Sequence, residues 1–270
     1  MLNLILIVSV LLTAVPCSPE RCTVISAGTF TPLYGVEKAD DTVRVGEFLL
    51  DRYPVSNREF RDFVAKRKDW RPGSVPEILS DPRYLTHWEH QGSHITPKDS
   101  DLNKPVVHVS WFAAQDFCAA RGGRLPTVNE WEYTAAASET KRDASRDPVF
   151  VELLLTWYSK PSSGTDRLPE IGRAKPNIWG VYDLHGVVWE WTADFNSVFV
   201  LGDNRNDGEK QQDLFCGAGA ASGTDKANYA AFMRYALRNS LKGRYTTANL
   251  GFRCAYNAPS KEVNNKQKKR

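Results

Sequence analysis

Three closely spaced histidines could ligate a transition metal: His87, His90 and His94, in Thr86-His87-Trp88-Glu89-His90-Gln91-Gly92-Ser93-His94. Spacings of three and four would put their ring nitrogens on one face of a helix, and imidazole suits first-row metals. Gly92 and Ser93 interrupt a helix, however, and no carboxylate motif completes a catalytic set, so exposed loop histidines are the plainer expectation. His108 and His185 read as interior or loop-packing residues. A second group, Asp225, Arg234, Tyr235 and Arg238, gathers an acid, two cations and a phenol in one stretch. Such a set can line a pocket; equally, two arginines four apart can sit in ion pairs beside a loop. The third group is the five cysteines: Cys17, Cys22, Cys118, Cys216 and Cys254. No CxxC occurs, and no cysteine stands at zinc-ligand spacing from another cysteine or a histidine, which argues against structural zinc.

The residues that begin the chain bear on how those cysteines are used. Met1 to Val15 is almost purely apolar, and Pro16-Cys17-Ser18-Pro19 breaks the run. This is short for a membrane span but suits the apolar core of a secretory signal over residues 1–18, although no Lys or Arg precedes it. Cleavage is expected near Cys17 to Glu20, with release into the periplasm or outside the cell and no transmembrane anchor in the mature form. Cys17 could carry a lipid, but Ala14-Val15-Pro16 is a poor approach to a lipidated cysteine. If Cys17 is removed, the remaining four cysteines allow three full disulfide pairings. The formal net charge of +3 over 270 residues gives no nucleic-acid footprint, and the basic stretch ending at Arg270 reads as a solvated, disordered tail over 258–270.

Stepping along the chain, Val24 to Phe30 reads as a strand leading into a turn, and Val43 to Leu50 as a second strand. Ser56-x-x-Glu59 is a capping box that opens an amphipathic helix with Phe60, Phe63 and Val64 on its apolar face. Arg71 to Lys104 lacks periodicity and is expected as a long ordered loop with short helical turns. Val106 to Val109 reads as a compact strand, and Ser110 caps a helix with Trp111, Ala114, Phe117 and Cys118 on one face. Thr127-x-x-Glu130 is a second capping box, opening a helix through Trp131 and Ala135. Ser138 to Arg146 is expected as an exposed loop, and after Pro161 turns and short apolar pieces dominate. With 8 Trp, 10 Tyr and 12 Phe, a core of bulky side chains joined by irregular loops follows: one loop-rich α+β domain over 23–257.

Five blocks, in order, carry a family resemblance: Asp51 to Phe60 (DRYPVSNREF), Pro105 to Trp111 (PVVHVSW), Gly123 to Tyr133 (GRLPTVNEWEY), Gly186 to Trp191 (GVVWEW) and Asn249 to Cys254 (NLGFRC). Together they resemble the sulfatase-modifying-factor (formylglycine-generating enzyme) domain, across roughly Thr23 to Tyr256. The resemblance implies a loop-rich fold related to C-type lectins. It also implies a structural Ca²⁺ held by the carbonyls of Asp183, Gly186 and Val188 and the Glu190 side chain, with Val187 where the family usually has Asn. A Glu paired with an Arg between two core tryptophans is the competing reading of that loop. Cys118 and Cys254 match a family disulfide. The second family disulfide is absent at both ends, where Ala135 and Tyr235 stand, and Cys22 and Cys216 are left over, a pairing the sequence leaves open.

Formylglycine-generating enzymes use two cysteines as a Cu(I) site that activates oxygen. Counting back from the NLGFRC block, the family's paired arginines fall on Arg234 and Arg238 and its catalytic cysteines on Asp225 and Ala230; the serine before the first is kept as Ser222. Oxygen and methyl groups are poor substitutes for thiolates on soft Cu(I), so copper and formylglycine generation are not expected. Ser222, Asp225, Arg234, Tyr235 and Arg238 remain as pocket candidates. Three functions stay open. The Asp81 to Trp88 and Phe215 to Ala220 segments are similar to a branch associated with copper nitrite reductases (NirV type), which implies an accessory or maturation factor for an exported metalloenzyme. A copper-independent oxidative tailoring enzyme is the second, and a protein- or glycan-binding module the third. A monomer with a protein partner or peptide substrate is expected in each case.

Overall fold

The computed structural model describes residues 17–32, 42–91, 94–159, 165–196 and 226–259. Among these residues, five α-helices and nine short strands are joined by long irregular connections, the loop-rich α+β arrangement expected. Strands β1 (Cys22–Ile25), β4 (Phe48–Asp51) and β9 (Ala255–Asn257) form an antiparallel sheet with β4 at its centre. In register, Val24 faces Leu49 and Leu49 faces Tyr256. Paired on both sides, β4 buries all four of its residues, the pattern of a central strand. β2 (Gly28–Phe30) and β3 (Val43–Val45) make a separate ribbon. The two strands expected from sequence are therefore each divided between two sheets, a choice made by partners far away in the chain.

α1 (Asn57–Lys66) starts at Ser56 with the expected reciprocal cap: Glu59 N donates to Ser56 Oγ at 3.3 Å, and Ser56 N donates to Glu59 Oε2 at 2.9 Å. Phe60 stacks on Phe117 at 5.6 Å and meets Phe252 edge-on at 6.0 Å, tying α1 to α2 (Trp111–Ala119) and to the segment before β9. The 71–104 segment is mainly turns, with a hairpin of β5 (Glu89–Gln91) and β6 (His94–Thr96).

Val106 to Val109 is not a strand. Val106 N donates to Val55 O at 2.8 Å and His108 N to Thr247 O at 3.0 Å, while His108 has φ 54°, outside the extended region. α3 (Val128–Ala135) carries the second complete capping box, from Thr127 and Glu130. Arg124 holds that same Glu130 at 2.6 Å.

Two helices were not expected. α4 (Pro148–Tyr158) is capped by Asp147, whose side chain accepts from Val149 N, and has Pro148 in its first turn. Its apolar run has too little polar alternation to show a helical face in sequence. α5 (Lys226–Ser240) packs along α4 and replaces the turns expected after Pro161. β7 (Trp189–Glu190) runs parallel to β8 (Leu250–Gly251), which brings the GVVWEW block against the NLGFRC block. No helix among the described residues is long and apolar enough to cross a membrane.

Candidate functional site

α5 lays Arg234 and Arg238, four residues apart, across α3. Arg234 Nε and Nη2 reach the Glu132 carboxylate at 2.9 and 2.6 Å, and Arg238 Nη1 reaches its other oxygen at 2.6 Å. All three residues are buried. Burial alone would raise the Glu132 pKa, but the two guanidinium charges prevail and hold it down to about 2. Burial likewise works against the charge on Arg234, and Glu132 outweighs it, so the guanidinium stays protonated. Arg234 Nη1 also donates to Tyr158 Oη at 3.0 Å and to Ala230 O at 3.2 Å. Arg238 lies 4.9 Å over the Trp131 ring and 5.6 Å over the Tyr235 ring.

Arg234, Tyr235 and Arg238 are thus brought together as proposed from sequence, but the arginines are engaged in ion pairs, the plainer of the two readings. Ser222 and Asp225 lie outside the described residues, and so does Cys216. Glu132 was missed. Its signal was a carboxylate beside the core residue Trp131 on a capped helix, which on burial demands a cation. Beside this cluster is a cavity of about 30 Å³, bordered by Phe30, Glu132, Ala135, Ala230, Arg234 and Tyr235. It is large enough for about one water. Ala230, where the family resemblance puts a catalytic cysteine, is 2 % exposed and presents only a methyl group.

The loop expected to hold calcium runs from Asp183 to Glu190. Asp183 and Gly186 have φ of 56° and 95°. Glu190 Oε1 accepts from Arg253 Nε at 3.0 Å and Nη2 at 2.8 Å; Oε2 accepts from Arg253 Nε and Trp131 Nε1, each at 2.8 Å. Three N–H groups, with that of Arg253 Nε shared between the two oxygens, thus engage the carboxylate, and no functional step is routed through calcium. Asp183 Oδ2 accepts from Gly172 N, whereas Oδ1 is buried without a partner; burial raises its carboxyl pKa.

The cysteines settle into two bridges. Cys118 and Cys254 are joined, with Cα atoms 5.4 Å apart and a sequence separation of 136. Cys22 pairs with Cys17, not with Cys216. Cys17 is 6 % exposed and belongs to the core cluster of α1 and α2.

The three histidines do not share a helical face, because His90 and His94 lie on the two strands of the β5–β6 hairpin, opposite Ile95 and Gln91. His87 instead faces His108, with ring centroids 5.4 Å apart.

The family described as sulfatase-modifying factor enzyme 1-like domain matches residues 11–258. The inactive C-alpha-formylglycine-generating enzyme 2 of Bos taurus is 31 % identical over 254 residues, covering 80 % of this chain and 79 % of that protein. The formylglycine-generating enzyme of Mus musculus is 29 % identical over 260 residues, 79 % of this chain and 67 % of that protein. The solved structure of PvdO from Pseudomonas aeruginosa aligns over 88 % of this chain and 94 % of its own, at 17 % identity and a TM-score of 0.46. With its matched region spanning most of its length, the chain belongs to the sulfatase-modifying factor enzyme 1-like domain family.

Proposed function

We propose that this chain is an exported accessory or maturation factor for a metalloenzyme outside the cytoplasm, and that it does not itself generate formylglycine. Cysteine arithmetic carries the second half of the reading. The chain has five cysteines, four of them held in two bridges, which leaves Cys216 as the one thiol. A dithiolate Cu(I) centre needs two, and Ala230 offers a methyl group in place of one of them. Kinship with a protein described as an inactive formylglycine-generating enzyme is in keeping with this loss. The two bridges support an oxidising destination. Arg234 and Arg238 serve the scaffold by pairing with Glu132, and guanidinium groups that stay protonated do no acid–base work on a substrate. This favours an accessory role over oxidative tailoring.

Two assays test the reading. Purified chain loaded with Cu(I) and given a cysteine peptide from a sulfatase should yield no aldehyde by mass spectrometry; conversion above the copper-only control would refute the loss of activity. In cells lacking the chain, exported copper enzymes should be recovered with reduced metal content, and full occupancy would remove the accessory role.

A further inference from the structure

The His87–His108 pair is a second constellation, outside the α3–α5 cluster. Two turns bring it together. Asp81 accepts from Arg83 N and Thr246 N, each at 3.0 Å, and from the Thr246 hydroxyl, while Asp81 N donates to Arg244 O at 2.8 Å. The 81–88 turn is thereby fastened to the 244–247 turn. Leu85 and His108 are both non-glycine residues with positive φ, at 51° and 54°, and the N–H of the first donates to the carbonyl of the second at 3.0 Å. Backbone conformations of this kind persist only where the surroundings impose them, and they gather at functional positions.

The His87 imidazole is oriented by its far nitrogen: Nε2 lies 3.4 Å from Asn57 Oδ1, which also accepts from Trp88 Nε1 at 3.0 Å. On both rings Nδ1 is buried and has no hydrogen-bond partner. In metal-binding histidines one ring nitrogen bonds an oxygen that fixes the ring, and the other presents its lone pair. Spacing agrees: with metal–nitrogen bonds of about 2.0–2.1 Å and tetrahedral angles, two imidazole centroids stand roughly 5 Å apart, against 5.4 Å here. Burial lowers the pKa of His87 to about 3, with His108 adding to the effect, and lowers that of His108 as well. Both rings are therefore neutral near neutral pH, the form that binds a metal.

From this geometry we infer that His87 and His108 form a two-imidazole site for a first-row transition cation. Among the described residues no group of three or more His, Cys, Asp or Glu could hold a metal ion, so the proposed site has two protein ligands, its remaining positions left to solvent or to a ligand brought by a partner. Both histidines are only half-buried, which gives a cation a way in. The inference stands apart from the accessory role and needs no free thiol.

The test uses the mature chain stripped with a chelator and titrated with Co(II) near neutral pH, read by visible absorption and equilibrium dialysis. One equivalent should bind. His87→Asn and His108→Asn should each weaken binding at least about tenfold; asparagine tolerates the left-handed backbone at position 108. His90→Ala and His94→Ala should bind as the unaltered chain does. Absence of stoichiometric binding by the unaltered chain, or undiminished binding by the His87→Asn/His108→Asn double variant, overturns the site. Should the variants fold poorly, Zn(II) should still protect His87 and His108 of the unaltered chain from diethylpyrocarbonate, mapped by mass spectrometry; modification of both rings at saturating Zn(II) overturns it too.

Discussion

Arg253 Nη2 lies 2.8 Å from Glu190 Oε1, and neither side chain has any solvent exposure. The same guanidinium donates to the carbonyls of Asp51, Arg52 and Tyr182 at 3.2, 3.2 and 2.9 Å, so one side chain ties β4, the loop before β7 and the segment before β9. Arg253→Met leaves a buried carboxylate with only Trp131 Nε1 as donor. A loss of about 3–5 kcal/mol is expected in urea unfolding. Glu190→Met combined with Arg253→Met should cost less than the sum of the two single changes, because each single change strands the other partner's charge. Strict additivity would show that the pair is not coupled.

The pH dependence of stability divides into opposing parts. Burial lowers the His185 pKa from 6.5 to about 4, and the Arg234 charge adds to it. The stabilisation from neutral His185 is therefore complete above 6.5 and is lost as pH falls toward 4. Asp51 acts the other way: burial raises its carboxyl from 3.8 to about 6 against the pull of Arg21, so its contribution is greatest below 3.8 and is lost as pH rises through 6. Each effect is on the order of 3 kcal/mol. Asp51→Asn should consequently steepen the fall in Tm between pH 6.5 and 4 relative to the unaltered chain. An equal or shallower fall would show that Asp51 does not titrate in that window.

Gly251 is needed for space. A Cβ there would stand 2.6 Å from Val106 O and 3.4 Å from Val188 Cγ2, and the first is backbone of a residue whose N–H is bonded to Val55 O. Gly251→Ala should destabilise by about 1–3 kcal/mol through overpacking, read as a lower urea midpoint with an unchanged m-value.

Thiol titration tests the disulfide pattern. A denatured, unreduced chain that retains Cys17 should present one thiol, Cys216, and five after reduction. Three free thiols before reduction would mean that one bridge does not form. Removing the long bridge with Cys118→Ala/Cys254→Ala should cost roughly 4–5 kcal/mol in the chain-entropy model, given the 136-residue separation.

Local chemistry was the legible part of this fold. Ser56 with Glu59, and Thr127 with Glu130, mark helix starts because the capping partners are three residues apart. α4 was hidden because Pro148 to Tyr158 is apolar on most sides, although Asp147-Pro148 marks its beginning. Val106 to Val109 looks like a strand by composition, yet the turn at His108 is imposed by Thr247 and Leu85 from elsewhere in the chain.

What the sequence determined by itself was the inventory: five ordered motif blocks, two capping boxes, arginines at positions 234 and 238, and an alanine where the resemblance places a thiol. Only the tertiary structure decided the partners. Arg234 neutralises Glu132 from 102 residues away, Glu190 pairs with Arg253, Cys17 takes Cys22, and His87 faces His108 where spacing had pointed to His90 and His94. Residue type and spacing fix which groups are available within a turn or two of chain. Which of them meet is set by burial, since a charge or ring nitrogen removed from water must be satisfied by whatever the packed core brings beside it.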